Sequence, residues 1–206
     1  MNQTTGEPIA GRLASLTEPT ATELAALRRQ LADIADTTGI LDVAYTVVDS
    51  PVGPLLLAGT ERGLVRIAYR REGFDAVLQA LADRLSPRIL RSPGRLDAAA
   101  RQLEEYFAGR RTGFDLALDF SLSSGFRRLV QQHLPDIGYG HTETYRDVAA
   151  VVGNPRAVRA VGSACATNPL PVVVPCHRVV RSDGTPGGYA GGPAAKVALL
   201  ALESAA

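Results

Sequence analysis

Cys176 and His177 sit side by side in the segment PVVVPCHRVV, Pro171 to Val180, in a chain that has only two cysteines and three histidines. A thiol is a nucleophile only as its thiolate, which needs a neighbouring base or positive potential. The apolar run before the pair reads as a buried strand that stops at Pro175. Proline removes an amide donor and pushes its predecessor into extended geometry. Neighbours on a regular strand point apart, so irregular backbone after Pro175 is what would bring Cys176 and His177 together. Cys165, among small residues, reads instead as a small buried hydrophobe. Two Cys and three scattered His do not match zinc-ligand spacing, so no structural metal is expected.

A second group of residues suggests contact with a polyanion. Thr144–Val152 has a helical pattern ending at Gly153, and Asn154-Pro155 restarts a helix with Asn as its cap and Pro at the first helical position. Helix, glycine, new helix is the layout of a helix-turn-helix. The second helix, read as Pro155 to about Ala166, carries the small residues Ala157, Ala160, Gly162, Ser163 and Ala164. On it Arg156 and Arg159, three apart, would share a face. Small residues alone fit a tightly packed core helix; the arginines turn the reading towards a nucleic-acid backbone.

The elements that must position these groups are legible from patterning. Thr20-Ala21-Thr22-Glu23 is a capping box, followed by Leu24, Leu27, Leu31 and Ile34 at helical spacing. Val43, Tyr45 and Val47 alternate as in a strand. Turn signals at Ser50-Pro51 and Glu61-Arg62-Gly63 separate it from Leu55–Ala58 and Leu64–Tyr69, which predicts an antiparallel meander. Two helices follow, one with Phe74, Leu78, Leu81 and Leu85, the other with Leu96, Leu103, Tyr106 and Phe107. Leu116, Leu118 and Phe120 predict one more strand. The texture changes near 119–124, where a domain boundary is expected. There is no internal repeat.

With 46% hydrophobic and 21% charged residues the chain should be globular. No apolar stretch approaches the roughly 20 residues of a membrane span. The opening MNQTTGEPIAGR lacks the layout of a signal peptide, so a cytoplasmic, reducing home is expected, with thiols rather than a disulfide. The net charge of +1 is unevenly spread. Residues 123–206 hold 8 Lys+Arg against 5 Asp+Glu, giving +3, while the first 122 hold 14 against 16, giving −2. Lys196 is the only lysine.

Pro175-Cys176-His177-Arg178-Val179 resembles the active-site signature of the O6-alkylguanine-DNA alkyltransferases, the methylated-DNA–protein-cysteine methyltransferases. The likeness takes in Thr144-Tyr145, Arg159-Ala160-Val161-Gly162, Asn168-Pro169, the Gly187–Gly192 loop with Tyr189, and Glu203. It covers roughly Tyr45 to Glu203. Gln131 stands where the family commonly has tryptophan, and Gly138 replaces a frequent proline; both concern packing rather than chemistry.

The resemblance implies a fold and a mechanism. The fold is α/β (α+β): an extension with a short helix at 1–40, a small antiparallel-sheet domain at 41–120, and a helical, winged-helix-like DNA-binding domain at 121–206. Cys176 would take the alkyl group from O6-alkylguanine, and O4-alkylthymine as a second lesion, in a stoichiometric and irreversible step on a base flipped out of the duplex. His177 would act as base through a water, Glu203 would fix the imidazole tautomer, Tyr145 would donate to the guanine ring, and Asn168 would tie the helix-turn-helix to the active segment. Pro171, Val179, Tyr189 and Ala190 would line the base pocket. Arg159 would fill the space of the flipped nucleotide, and with Arg156, Ala157 and Tyr145 would contact double-stranded DNA from the minor groove. No cofactor, no membrane and a monomer are implied. Two other readings remain at this point, a module that binds alkylated DNA without repairing it and a Cys-His-Glu hydrolase.

Overall fold

The structure, a computed structural model, describes residues 19–204. The leader reading of the first twelve residues falls outside them. Strands β1 (Val43–Val48), β2 (Leu55–Thr60) and β3 (Gly63–Tyr69) form the expected antiparallel meander. The sheet is not purely antiparallel, however. A fourth strand, β4 (Ile89–Arg91), joins the other edge of β1 in parallel, pairing Val43 with Ile89 and Tyr45 with Arg91. Three residues between a proline and a turn carry too little periodicity to be seen beforehand. The strand expected at Leu116–Phe120 is absent: Leu118 makes a single bridge to Leu64, and Phe120 opens a 3-10 turn. Gly63 is required there, because a side chain on it would strike the Ala117 carbonyl.

Both faces of the sheet are covered, which is why β2 is buried from Leu55 to Gly59 without alternation. Helix α2 (Phe74–Arg84) lays Val77 and Leu81 on one face with Val43, Leu56, Val65 and Ala68. The other face meets α3 (Asp97–Phe107) through Leu103 and Tyr106, in a core that continues into Val172, Cys176 and Val179. The two halves of the chain thus share one apolar interior. Helix α1 (Ala21–Thr37) has the expected capping box, with the Glu23 amide donating to Thr20 Oγ1 at 3.2 Å. Its packing differs from expectation. Ala32 and Ala35 are the buried residues and Asp36 pairs with Arg95, while Leu24, Leu27, Leu31 and Ile34 stay exposed. The small alanines allow close approach, and contact through them turns the leucine stripe outward.

The helical half comprises α4 (Gly125–His133), α5 (Tyr145–Val151), α6 (Val158–Ala166) and α7 (Pro193–Ser204). Thr144 caps α5 through a capping box, and Gly153, at φ +77°, ends it. The Asn154 amide donates to Ala149 O and the Gly153 amide to Ala150 O, a Schellman closure. The next helix begins later than expected. Asn154–Ala157 is a turn closed by the Ala157 amide on Asn154 O, and α6 starts at Val158. Arg156 and Ala157 therefore lie in the turn ahead of the helix that carries Arg159.

Candidate functional site

The run before Cys176 is not a strand. Residues 171–174 form a tight turn in which the Val174 amide donates to Leu170 O at 2.8 Å. Val172 stands at φ +75°, a conformation that β-branched residues rarely adopt and that surrounding structure must enforce. The Cys176 amide then reaches back to Val174 O at 2.8 Å, around a Pro175 at φ −81°, ψ 62°. This is an inverse γ-turn, for which proline's fixed φ is well suited. It feeds directly into the 3-10 turn Cys176–Arg178. Consecutive valines looked like a strand because periodicity cannot separate a short buried strand from other buried backbone.

Asn168, two residues beyond α6, holds this irregular segment by three bonds. Its Oδ1 accepts from the Leu170 amide at 3.0 Å, and its Nδ2 donates to Val174 O at 2.8 Å and to Cys176 Sγ at 3.1 Å. Cys176 is 1% exposed. Burial pushes its thiol up to about 11, against the Asn168 hydrogen bond and the Lys196 charge, which both pull it down. Burial likewise pushes the Cys165 thiol up, as expected for a buried hydrophobe.

His177 and Glu203 meet across 26 positions, Nε2 to Oε1 at 2.8 Å, both buried. Glu203 accepts much more than this one bond. Arg178 donates through Nε and Nη2, each at 2.9 Å, the Tyr106 hydroxyl donates at 2.6 Å, and the Gly140 amide at 3.2 Å. Burial alone would push the carboxyl up, but the hydrogen bonds from His177 and Arg178 overcome it and hold Glu203 at about 2. An ionised Glu203 can only accept, so His177 must donate from Nε2, and Nδ1 carries the lone pair. Nδ1 is buried and has no hydrogen-bond partner among the described residues. Burial pushes the imidazole below its usual range despite Glu203, so the ring is neutral at pH 7.

Tyr145 is brought to the same place by a two-residue parallel ladder, β5 (Glu143–Thr144) on β6 (Val179–Val180). Its hydroxyl lies so close to Gly187 that a side chain there would overlap it. Burial pushes this phenol up to about 12, so it keeps its proton. The Lys196 ammonium sits 5.9 Å above the Tyr145 ring and donates to Val179 O at 2.6 Å. Tyr189 stacks edge-on to His177 with ring centroids 6.2 Å apart. Pro171 and Val179 are buried, and Ala190 is half-buried in the same loop as Tyr189. Arg156 and Arg159 are exposed. Sequence patterning assigned Arg178, Tyr106 and Lys196 no part in this cluster. Arg178 lay within the quoted motif and Lys196 stood out as the sole lysine, but Tyr106 fitted a helical apolar spacing and carried no polar signal.

A buried cysteine followed by a neutral histidine that a carboxylate fixes is an arrangement suited to thiol chemistry, and α5 and α6 beside it have the layout of a helix-turn-helix. Comparison makes this specific. Residues 125–205 match the 6-O-methylguanine DNA methyltransferase DNA binding domain, and residues 43–120 match the ribonuclease-like domain of the same proteins. The chain belongs to the methylated-DNA–protein-cysteine methyltransferase family. It is 41% identical over 159 residues to the methyltransferase of Methanosarcina barkeri, covering 77% of this chain and 96% of that one. Against the constitutive methyltransferase of Bacillus subtilis the identity is 38%, over 71% and 86% of the two chains. A crystal structure of the Mycobacterium tuberculosis protein in complex with DNA superposes with TM-score 0.69 at 38% identity, covering 79% of this chain and 93% of that one.

Proposed function

We propose that this protein repairs DNA by moving the alkyl group of O6-alkylguanine onto Cys176, once per molecule. The observation that carries the reading is the cluster itself: a thiol held by Asn168, one residue from an imidazole whose Nε2 is committed to Glu203 and whose Nδ1 is unpartnered among the described residues. Nδ1 takes the Cys176 proton through a water, and Sγ attacks the alkyl carbon. The carbon–sulfur bond forms as the carbon–O6 bond breaks. The proton held on Nδ1 then returns through water to the departing guanine, which leaves as a neutral base, so that in net the thiol proton ends on the leaving group. Tyr145, protonated and beside the loop that closes the pocket, donates to the guanine as charge develops on it.

The target atom is inaccessible inside a duplex, so the base must be flipped out. Arg159, exposed at the first turn of α6, fills the space it leaves, and Arg156 and Ala157 in the preceding turn contact the minor groove. Pro171, Val179, Tyr189 and Ala190 line the pocket. Residues 121–206 carry the DNA-binding and chemical groups, and residues 41–120 brace them through the shared core. The protein acts as a monomer in the cytoplasm, where a reducing setting keeps Cys176 a thiol. No helix among the described residues is long and apolar enough to cross a membrane.

The test is intact-protein mass spectrometry after incubation with duplex DNA containing O6-methylguanine. One methyl mass per protein, mapped to the Cys176 peptide and saturating at one equivalent, is expected. No gain of mass, or many turnovers per molecule, refutes it.

A further inference from the structure

The pocket loop is held not only by its own half of the chain but by the end of β3. Tyr69, the last residue of that strand, is 2% exposed and stacks edge-on to Tyr189 with centroids 5.7 Å apart. The two hydroxyls are 3.0 Å apart. The Tyr69 ring also lies close against Gly191 of the loop, since a Cβ built there would come within 2.7 Å of it. Two residues on, the Arg71 guanidinium lies against Gly192, which stands at φ +89°.

The tyrosine is itself firmly anchored. Its amide donates to Glu72 Oε1 at 2.8 Å, Glu72 pairs with Arg66, and Arg66 donates to Pro169 O. Pro169 O also accepts from the Ile67 amide at 2.8 Å. A rigid strand end tied beside Asn168 thus faces a loop containing Gly187, Gly188, Gly191 and Gly192, which has little stiffness of its own.

We infer that Tyr69 is a positioning residue that sets which alkyl groups Cys176 accepts: its hydroxyl holds Tyr189 inward and so limits how far the pocket loop opens. The inference rests on the proposed alkyl transfer and deepens it. Between Tyr69 and the reacting centre the path is short, because Tyr189 packs directly on His177. With Cys176 1% exposed, a bound base must shift this loop, but only a bulky alkyl group shifts it far enough to break the Tyr69–Tyr189 bond. Both phenols are pushed up by burial and keep their protons, so the bond is a neutral one. Releasing it shifts a loop-opening equilibrium about five-fold.

The experiment uses the full chain and two duplexes that differ only in carrying O6-methylguanine or O6-benzylguanine. Second-order rate constants for Cys176 alkylation are compared for the wild type, Tyr69→Phe, Tyr189→Phe and the double variant. Each single variant is expected to raise the benzyl-to-methyl rate ratio about five-fold. The double variant should raise it no further, because both changes remove one bond. A purely structural role would lower both rates together and leave the ratio unmoved; that result, or additive shifts in the double variant, overturns the inference. Absence of methyl transfer in the wild type would instead overturn the alkyl-transfer reading itself.

Discussion

Replacing Glu203 by glutamine should cost about 3 kcal/mol of stability, a figure that follows from the site. The carboxyl is held at about 2 against a reference of 4.5. A ten-fold change in proton affinity corresponds to about 1.4 kcal/mol, so the ionised form is favoured in the fold by about 3 kcal/mol. Glu203 is 3% exposed, and solvent does little to screen it. Glutamine keeps the shape but removes the charge, and its amide nitrogen is a donor pointed at donors. Arg178, 5% exposed, is left as a buried cation without a counter-charge, a loss of the size seen when one partner of a buried pair is removed. For a domain of this length the loss lowers the melting temperature by about 10 °C.

The pH dependence of stability offers a second test. The folded-state value of Glu203 lies below the unfolded one. Its contribution is therefore fully present above about pH 4.5 and is lost as pH falls through about 2. Urea titrations of wild type and Glu203→Gln at pH 7 should differ by about 3 kcal/mol, and the gap should close between pH 4.5 and 2. A gap under about 1 kcal/mol at pH 7, or one that does not narrow in acid, would show that Glu203 is not the charge centre of this cluster.

Three further outcomes are expected. Cys176→Ser should abolish transfer while keeping lesion binding, and Cys165→Ser should transfer normally; peptide mapping that finds the alkyl group on Cys165 refutes this. Arg159→Ala should slow repair of duplex DNA at least ten-fold more than reaction with free O6-benzylguanine, since only the duplex incurs a flipping cost of a few kcal/mol; equal losses would remove Arg159 from that role. Gly187→Ala should lower the transfer rate roughly ten-fold or more, the effect of misplacing a reacting group. It should leave thermal stability nearly unchanged, because the atoms nearest the new methyl belong to the hydroxyl end of the Tyr145 side chain; an unaltered rate would show that the contact is idle.

What the sequence revealed of the site was local, and what it hid was tertiary. Cys176 and His177 were visible as neighbours, and Asn168 stands only eight positions before Cys176. The meander and the helix caps were visible because turns and capping boxes are written in consecutive residues. The resemblance also paired Glu203 with His177, but its other partners were hidden, since Tyr106 lies 97 positions away and nothing about a tyrosine at helical spacing announces a hydroxyl aimed at a carboxylate. Leu24, Leu27, Leu31 and Ile34 made a convincing apolar stripe, yet alanines on the adjoining face took the contact. Periodicity identifies a face but not what it meets. Irregular backbone was rightly expected after Pro175, but the strand that Pro175 was to end does not form, and the chain is already irregular at Val172. The γ-turn that Pro175 makes and the left-handed Val172 before it depend on Asn168, which no local pattern links to them.

The site also resolves a tension in the chemistry proposed for it. A nucleophilic cysteine is commonly one whose thiol is pulled down towards neutrality, whereas burial holds Cys176 at about 11 and nearly out of contact with solvent. In the closed state it is a protonated thiol, shielded from electrophiles in general. Two groups that oppose burial are already in place, Asn168 on the sulfur and the charge of Lys196, and the next residue is a neutral His177 whose Nδ1 lone pair has no partner among the described residues. What the closed state lacks is a reason to move the proton. An alkylated base that displaces the Gly187–Gly192 loop and engages Tyr145 would supply it, because the negative charge then passes from sulfur to a leaving group that can be protonated. For a protein that is consumed by a single reaction, a thiol activated only in the presence of its substrate avoids loss to the wrong electrophile. The fold achieves this by placing the nucleophile in the shared core and leaving its loop rich in glycine.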